Sequence, residues 1–116
     1  MLPLDAIAAD SCPAYYDDVT EQREYVSVGE RFSLGGEEPA FLEGQQRGSR
    51  VNVRTGPGTD YEISAYGLVG EDVLALDFAY DRNCEIWFRV RFPASQHEGW
   101  IHTDLVRFYY ARGLWD

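Results

Sequence analysis

The chain has 116 residues, of which 45% are apolar and 15% aromatic, so it is long enough to bury one modest core. Its formal charge is −10, and because an acidic protein is repelled by phosphate backbones and anionic lipid surfaces, neither nucleic acids nor membranes are expected as partners. All ten basic residues are arginine, which excludes the Schiff-base chemistry of lysine.

The acidic residues are concentrated at the start of the chain. Residues 1–44 contain ten acids and two arginines, a net charge of −8, whereas residues 45–116 contain ten acids and eight arginines, a net charge of −2. A short strand-like run occurs at 24–28, and the stretch 35–39, rich in Gly and Glu, has the composition of a turn or linker. We therefore expect an acidic N-terminal extension at residues 1–39 that is partly ordered and packed on the rest of the protein.

The stretch 50–61 joins a strand to a tight turn. Val51 and Val53 alternate with polar residues, which is the pattern of a strand with one buried face. Pro57 and Gly58 then supply the φ values needed at the second and third positions of a type II turn. This stretch contains no nucleophile, acid–base pair or ligand cluster, so it predicts a fold rather than a reaction.

The rest of the chain predicts β structure. Strand-like runs bounded by turn residues lie at 40–43, 63–69, 73–80, 86–92, 99–102 and 106–110. Long helical periodicity is missing, and no stretch reaches the ~18 apolar residues needed to span a bilayer. We therefore expect an all-β domain at residues 40–110, followed by a short C-terminal tail at 111–116.

The run 73–80 is apolar on both sides. Strict alternation places Leu74, Leu76, Phe78 and Tyr80 on one face of the strand, and Val73, Ala75 and Ala79 on the other. A strand in a small sheet usually has one face in water, so a second apolar face needs a cover. We expect the N-terminal extension to provide it.

The run 86–92 has the clearest alternation and places Trp87, Arg89 and Arg91 on the outer face of the sheet. An uncovered tryptophan on such a face is typical of a ligand platform. The alternative is that the N-terminal extension covers Trp87. Trp100, which follows a glycine, is expected to pack in the wall of the domain.

Cys12 and Cys84 lie in different parts of the chain. A disulfide between them would tie the N-terminal extension to the β domain. The alternative is two buried or free thiols in a reducing compartment. The sequence leaves both open.

Four segments resemble, in order and spacing, bacterial Src-homology-3-like (SH3-like) domains. They are residues 51–61, 70–73, 87–90 and 99–101. The combination looks most like the versions found in exported cyanobacterial proteins, and the resemblance covers residues 40–110. It implies a small SH3-like antiparallel barrel, here with an N-terminal extension.

The resemblance also implies a function. Bacterial SH3-like domains are binding modules rather than enzymes, and many bind peptides or glycans of the cell wall outside the cytoplasm. Trp87 matches the ligand-contacting tryptophan of the eukaryotic relatives, but His102 and Leu105 stand where those domains carry a groove proline and a groove tyrosine. Recognition of polyproline is therefore not expected, whereas a groove with an aromatic floor is.

A set of side chains around the first loop forms the candidate ligand-binding site. It consists of Trp87, Tyr61, Tyr66, Asn52, Arg54 and Asp104. The alternative for two of them is that Arg54 and Asp104 form an ion pair that only braces a loop.

We expect no catalytic residues, no metal site and no cofactor. Only composition suggests that Cys84 with His97 or His102 forms a catalytic thiol–imidazole pair. No sequence signature of a catalytic cysteine surrounds Cys84. The carboxylate pairs at 17–18 and 37–38 lack the spacing of a metal-binding loop.

Two hypotheses follow. In the first, an exported protein, periplasmic or extracellular, binds cell-wall (peptidoglycan) peptide or glycan through an aromatic cleft. In the second, the module binds another exported protein, and the acidic extension regulates access to the groove.

Overall fold

The computed structural model describes residues 11–14 and 24–109. Within these residues the secondary structure is almost entirely β, which confirms the predicted fold class. The strands are β1 (Ser11–Pro13), β2 (Tyr25–Ser27), β3 (Phe32–Leu42), β4 (Arg50–Arg54), β5 (Ile63–Leu68), β6 (Asp72–Tyr80), β7 (Ile86–Arg91), β8 (Glu98–His102) and β9 (Val106–Phe108), with a 3₁₀ turn at Thr103–Leu105. In the described part of the chain, no helix has the length and apolar character needed to cross a membrane.

The strands form two antiparallel sheets. β1 and β2 pair alone, and the other strands form one sheet in the order β5-β4-β8-β7-β6-β3-β9. β4 meets β8 at a single pair, Arg54 opposite Trp100. β5 and β9 lie at the two ends of the order, and among the described residues no pairing joins them, so closure of the expected barrel is not observed.

β3 runs through the region expected to be a linker. The pairs Ser33–Asp77 and Glu38–Ala75 show that four residues of β3 lie opposite one residue of β6, which is a large β-bulge. Gly35 makes this possible with φ of 84°, a left-handed conformation that glycine adopts easily. The linker prediction for 35–39 was therefore wrong, and the predicted domain boundary at residue 39 falls inside a strand.

β6 also contains a bulge. Ala75 pairs with Val90 but Asp77 pairs with Arg89, so Leu76 is an extra residue. The extra residue reverses the alternation, because a shift of one residue moves every later side chain to the opposite face. Val73 and Ala75 therefore share the core with Phe78 and Tyr80, and the predicted division of β6 into two faces was wrong.

The main core lies on one side of the sheet and includes residues from the N-terminal strands. Its fully buried members include Cys12, Val26, Leu42, Val53, Val73, Tyr80, Val90 and Ile101. The Phe32 ring packs 5.4 Å from the Phe78 ring, centroid to centroid. Residues 11–14 and 24–31 thus pack on the sheet. The remaining parts of the predicted extension, residues 1–10 and 15–23, and the predicted tail at 111–116 lie outside the described residues.

Cys12 and Cys84 form a disulfide, with Cα atoms 5.4 Å apart. The disulfide links β1 to the β6–β7 loop. Of the two alternatives left open by the sequence, the structure adopts the pairing. The thiol–imidazole pair is excluded in this state, because the Cys84 sulfur is bonded to Cys12.

Candidate functional site

An open cleft of about 520 Å³ lies between the N-terminal strands and two loops of the large sheet. One wall is formed by Ser11 and residues 27–29, from β1 and the end of β2. The opposite wall is formed by residues 57–61, between β4 and β5, and the floor by residues 81–83, between β6 and β7. The cleft therefore exists only because the N-terminal strands are docked on the sheet.

The 57–61 loop is held by Arg54. The Arg54 guanidinium donates hydrogen bonds to the backbone carbonyls of Thr59 (3.3 Å) and Tyr61 (2.9 Å). The Tyr61 ring lies against Gly56, where a Cβ atom would come within 2.5 Å of the ring. The ring is still 45% exposed and lines the cleft. Arg54 and Gly56 thus fix the position of Tyr61 in the wall of the cleft.

Asp81 organises the floor. It is 6% exposed, and its Oδ1 accepts hydrogen bonds from the backbone N–H groups of Asn83 (2.8 Å) and Glu85 (3.0 Å). Its Oδ2 accepts a hydrogen bond from the Trp87 indole N–H at 2.8 Å. Sequence reasoning missed this role, although an aspartate that begins a polar loop and precedes Asn by two positions is typical of an Asx turn.

Trp87 does not form an exposed platform. It lies on the outer face of β7, as predicted, but it is 3% exposed and forms a second buried cluster with Ala79 and Trp100. His102, its cross-strand neighbour, packs edge-on at 5.3 Å between ring centroids. The prediction that Trp87 forms an exposed ligand platform is therefore wrong, because Ala79, His102 and Asp81 bury the indole. Trp100 is buried as expected, but in this second cluster.

Asn52 and Tyr66 face each other across β4 and β5. Tyr66 is 55% exposed, and the Arg50 guanidinium carbon lies 4.9 Å from the centroid of its ring. Both side chains lie on the outer surface of the β4–β5 hairpin and do not line the cleft.

Asp104 does not line the cleft either. It lies in the 3₁₀ turn, with its carboxylate 3.6 Å from His102 Nδ1. The predicted Arg54–Asp104 ion pair is wrong, since Arg54 binds carbonyl groups instead. Of the six predicted residues, Tyr61 lines the cleft and Arg54 braces it. The other four lie elsewhere.

The rim of the cleft is charged. Asp60 and Arg82 form an ion pair at 3.5 Å, and both side chains are at least 70% exposed. An exposed pair of this kind contributes only about 0–1 kcal/mol, so it opens at little cost. The rim thus presents one carboxylate and one guanidinium, whereas the Asp81 carboxylate in the floor is buried and bonded to Asn83, Glu85 and Trp87.

The arginines on the outer face of β7 are used in ion pairs. Arg89 makes a bidentate contact with Asp77 at 2.9–3.2 Å and a further contact with Glu98. The hydrogen bonds that Arg89 donates to Asp77 raise the pKa of Arg89. The negative charges of Asp77 and Glu98 raise it further, whereas partial burial lowers it. Arg91 pairs with Glu37 from the β3 bulge. These arginines therefore tie neighbouring strands together.

A sequence model of the bacterial SH3 domain matches residues 49–107, which is about half of the chain. The chain belongs to this family. The family segment of this bacterial SH3 domain begins just before β4 and ends in β9. The wall of the cleft formed by Ser11 and residues 27–29 is therefore contributed from outside the family segment.

One curated relative is named serine/threonine-protein kinase D and comes from a Synechocystis species. It is 40% identical over 57 residues, which make up 49% of this chain. The chain spans only about a ninth of that relative, since the match covers 11% of it. The search of the solved structures found no match to this chain.

Family membership indicates a binding module. Within the described ranges, no group of three or more His, Cys, Asp or Glu side chains is placed to hold a metal ion. The groups that line the cleft are an aromatic ring, serine hydroxyls, and charged side chains of both signs.

Proposed function

We propose that this bacterial SH3 domain is a non-catalytic module that binds a peptide or glycan of the bacterial cell wall, and that the ligand occupies the cleft beside Tyr61. The observation that carries the proposal is the exposed Tyr61 ring in a cleft of about 520 Å³. Concave sites with an aromatic side chain and a few convergent polar groups are the usual form of ligand sites. The proposed site is centred on Tyr61 and not on Trp87, because Trp87 is buried.

The polar groups of the cleft suit this class of ligand. A wall peptide carries amines and carboxylates, which can pair with Asp60 and Arg82 once their exposed ion pair opens. A glycan presents hydroxyl groups to Ser11 and Ser27 and a sugar-ring face to Tyr61.

The disulfide supports a location outside the cytoplasm. Disulfides form and persist in oxidising compartments, whereas cytosolic thiols are kept reduced. The Cys12–Cys84 bond holds one wall of the cleft in place, so an exported location also suits the proposed site.

Co-sedimentation with isolated bacterial sacculi tests the proposal. We expect the protein to be retained at micromolar concentration and the Tyr61→Ala variant to be lost from the pellet. Tyr66→Ala is the matched control, because it removes another exposed tyrosine that lies outside the cleft. Tyr61→Phe should be retained, since the ring is kept.

Two results would contradict the proposal. The first is the absence of retention for the unmodified protein. The second is equal loss for Tyr61→Ala and Tyr66→Ala, with circular dichroism showing that both variants are folded.

A second candidate function is the binding of another exported protein, with the N-terminal residues regulating the cleft. It is favoured by the placement of Ser11 and residues 27–29 in the wall of the cleft. If these residues restrict access, reduction of the disulfide should increase retention by sacculi or by a protein partner. If they form part of the binding surface, reduction should decrease it.

A further inference from the structure

The two edge strands of the large sheet differ. β9 has only three residues, and Arg107 within it forms a bidentate ion pair with Glu43 at 2.8 Å. β5 has six residues, none of them charged or proline. Natural proteins protect edge strands by shortness, charge, proline or a β-bulge. By these measures β9 is protected, whereas β5 carries only a bulge at Ser64, and among the described residues no strand pairs with its outer edge.

β5 also carries an apolar stripe on its outer face. Ile63, Tyr66 and Leu68 are all exposed, and they lie opposite Arg54, Asn52 and Arg50 of β4. A bulge at Ser64 brings Ile63 onto the same face as Tyr66. Of the exposed large apolar residues in the described part of the chain, most lie between residues 61 and 68. The apolar surface is therefore concentrated at this edge.

The backbone of β5 has hydrogen-bonding groups directed outward at Tyr66. Val69 N–H donates to the Ser49 carbonyl at 2.8 Å. Since the pairs of an antiparallel ladder alternate, Gly67 and Ala65 face β4, and the N–H and C=O of Tyr66 face the free edge. The Leu68 N–H donates to the Glu71 carboxylate, and the Leu68 carbonyl accepts a hydrogen bond from the Glu71 backbone N–H. Pairing with another strand is therefore limited to the part of β5 around Tyr66.

Charges of both signs lie beside the stripe, with Glu62 and Glu71 at the two ends of β5 and Arg50 beside Tyr66. Arg50 leans from β4 across the Tyr66 ring, toward the free edge. Among the described residues neither Arg50 nor Arg54 has a carboxylate partner, whereas Arg89, Arg91 and Arg107 all do. Arg50 is the charged side chain in contact with Tyr66, where pairing is possible, whereas the Glu71 carboxylate is bonded to Leu68. A partner strand would therefore be favoured if it carried a carboxylate opposite Tyr66 and apolar residues two positions away on the same face.

We propose that the free edge of β5 binds an extended acidic–apolar segment of a partner protein as an added β-strand. Main-chain hydrogen bonds to Tyr66 provide the pairing, Ile63 and Leu68 the apolar contact, and Arg50 the preference for carboxylates. The site is separate from the cleft beside Tyr61 and does not depend on the cell-wall ligand.

Nuclear magnetic resonance of the full oxidised chain tests the proposal with a defined probe, the acetylated and amidated peptide Val-Thr-Glu-Thr-Val, whose central glutamate shares a face with Tyr66 and Arg50 when it pairs with Tyr66. We expect amide shifts centred on residues 64–66 and slower hydrogen exchange of the Tyr66 amide. The matched peptide Val-Thr-Lys-Thr-Val should bind more weakly. Arg50→Gln should weaken binding of the glutamate peptide by about two- to fivefold, the factor expected for one exposed ion pair.

A third peptide separates strand addition from simple apolar contact. N-methylation of the central glutamate removes a backbone donor and should weaken binding by at least about fivefold. Equal binding of the N-methylated or lysine peptide overturns the proposal, as does the absence of shifts at millimolar peptide. Shifts confined to the cleft, and lost in Tyr61→Ala, also overturn it.

Discussion

At the scale of single residues, Asp81 connects the loop of the cleft to the second buried cluster. Its two oxygens accept hydrogen bonds from two backbone N–H groups and from the Trp87 indole. A buried carboxylate is tolerated when it is satisfied in this way, because its lone pairs replace lost water with protein donors. Removing it would leave three donors without their partner.

We predict that Asp81→Ala lowers the free energy of unfolding by about 3 kcal/mol, since buried donors left unsatisfied are costly. Asp81→Asn should cost less, because its amide oxygen still accepts and only the bond from Trp87 is lost. Urea denaturation followed by circular dichroism measures both. Asp60→Ala is the control, as its carboxylate is exposed. Similar losses for Asp81→Ala and Asp60→Ala would contradict the assigned role.

Alternation in the sequence predicted the face on which Trp87 lies, but it could not predict burial. Exposure depends on what packs over a face, and here the neighbours come from β6, β8 and the 81–85 loop. Arg54 shows the same limit. Its partners are carbonyl groups five and seven residues away, and only the folded loop brings them to the guanidinium.

At the scale of the strands, the bulges in β3 and β6 lie opposite each other and determine which side chains meet. In β6 the bulge turns Asp77 to the outer face, where it pairs with Arg89. In β3 the extra residues carry Glu37 to Arg91. Strand positions were well predicted from period-two runs, but the faces after each bulge were not. A glycine pair such as 35–36 is as typical of a turn as of a bulge.

The β3 bulge gives a prediction about Gly35. Its φ of 84° is costly for an alanine, and no atom lies within 4 Å of a Cβ placed there, so the cost is conformational only. We expect Gly35→Ala to destabilise the protein by about 1 kcal/mol. Gly35→Asn should cost less, because asparagine tolerates the left-handed region. Thermal unfolding of both variants checks the order, and the reverse order would contradict a left-handed bulge.

At the scale of the whole molecule, the family segment from residue 49 to 107 was predictable because its turn glycines, prolines and aromatic strands are local signals. The incorporation of residues 32–39 into the same sheet was not predictable, since it depends on pairing with β6 far along the chain. The cleft also depends on contacts between residues that are far apart in the sequence. It needs Ser11 and residues 27–29 to meet loops that are distant in sequence.

The disulfide is the covalent part of that long-range assembly. A two-stranded sheet such as β1–β2 is marginal alone, and here it is also held by buried Val26 and by a 2.9 Å hydrogen bond from Gly29 N–H to the Tyr80 carbonyl. Cys12 and Cys84 are 72 positions apart, and in the chain-entropy model a loop of this length stabilises the folded state by about 4 kcal/mol.

We therefore predict that reduction with dithiothreitol lowers the free energy of unfolding by about 4 kcal/mol. Under mild reducing conditions, limited proteolysis should cut within residues 24–31 before it cuts within the large sheet, because the large sheet keeps its own pairings from β3 onward. The double variant Cys12→Ser with Cys84→Ser should match the reduced protein and should not respond to dithiothreitol, which separates loss of the disulfide from other effects of the reductant. An unchanged denaturation midpoint, or cleavage that begins within residues 49–107, would show that the N-terminal strands do not depend on the disulfide for their docking.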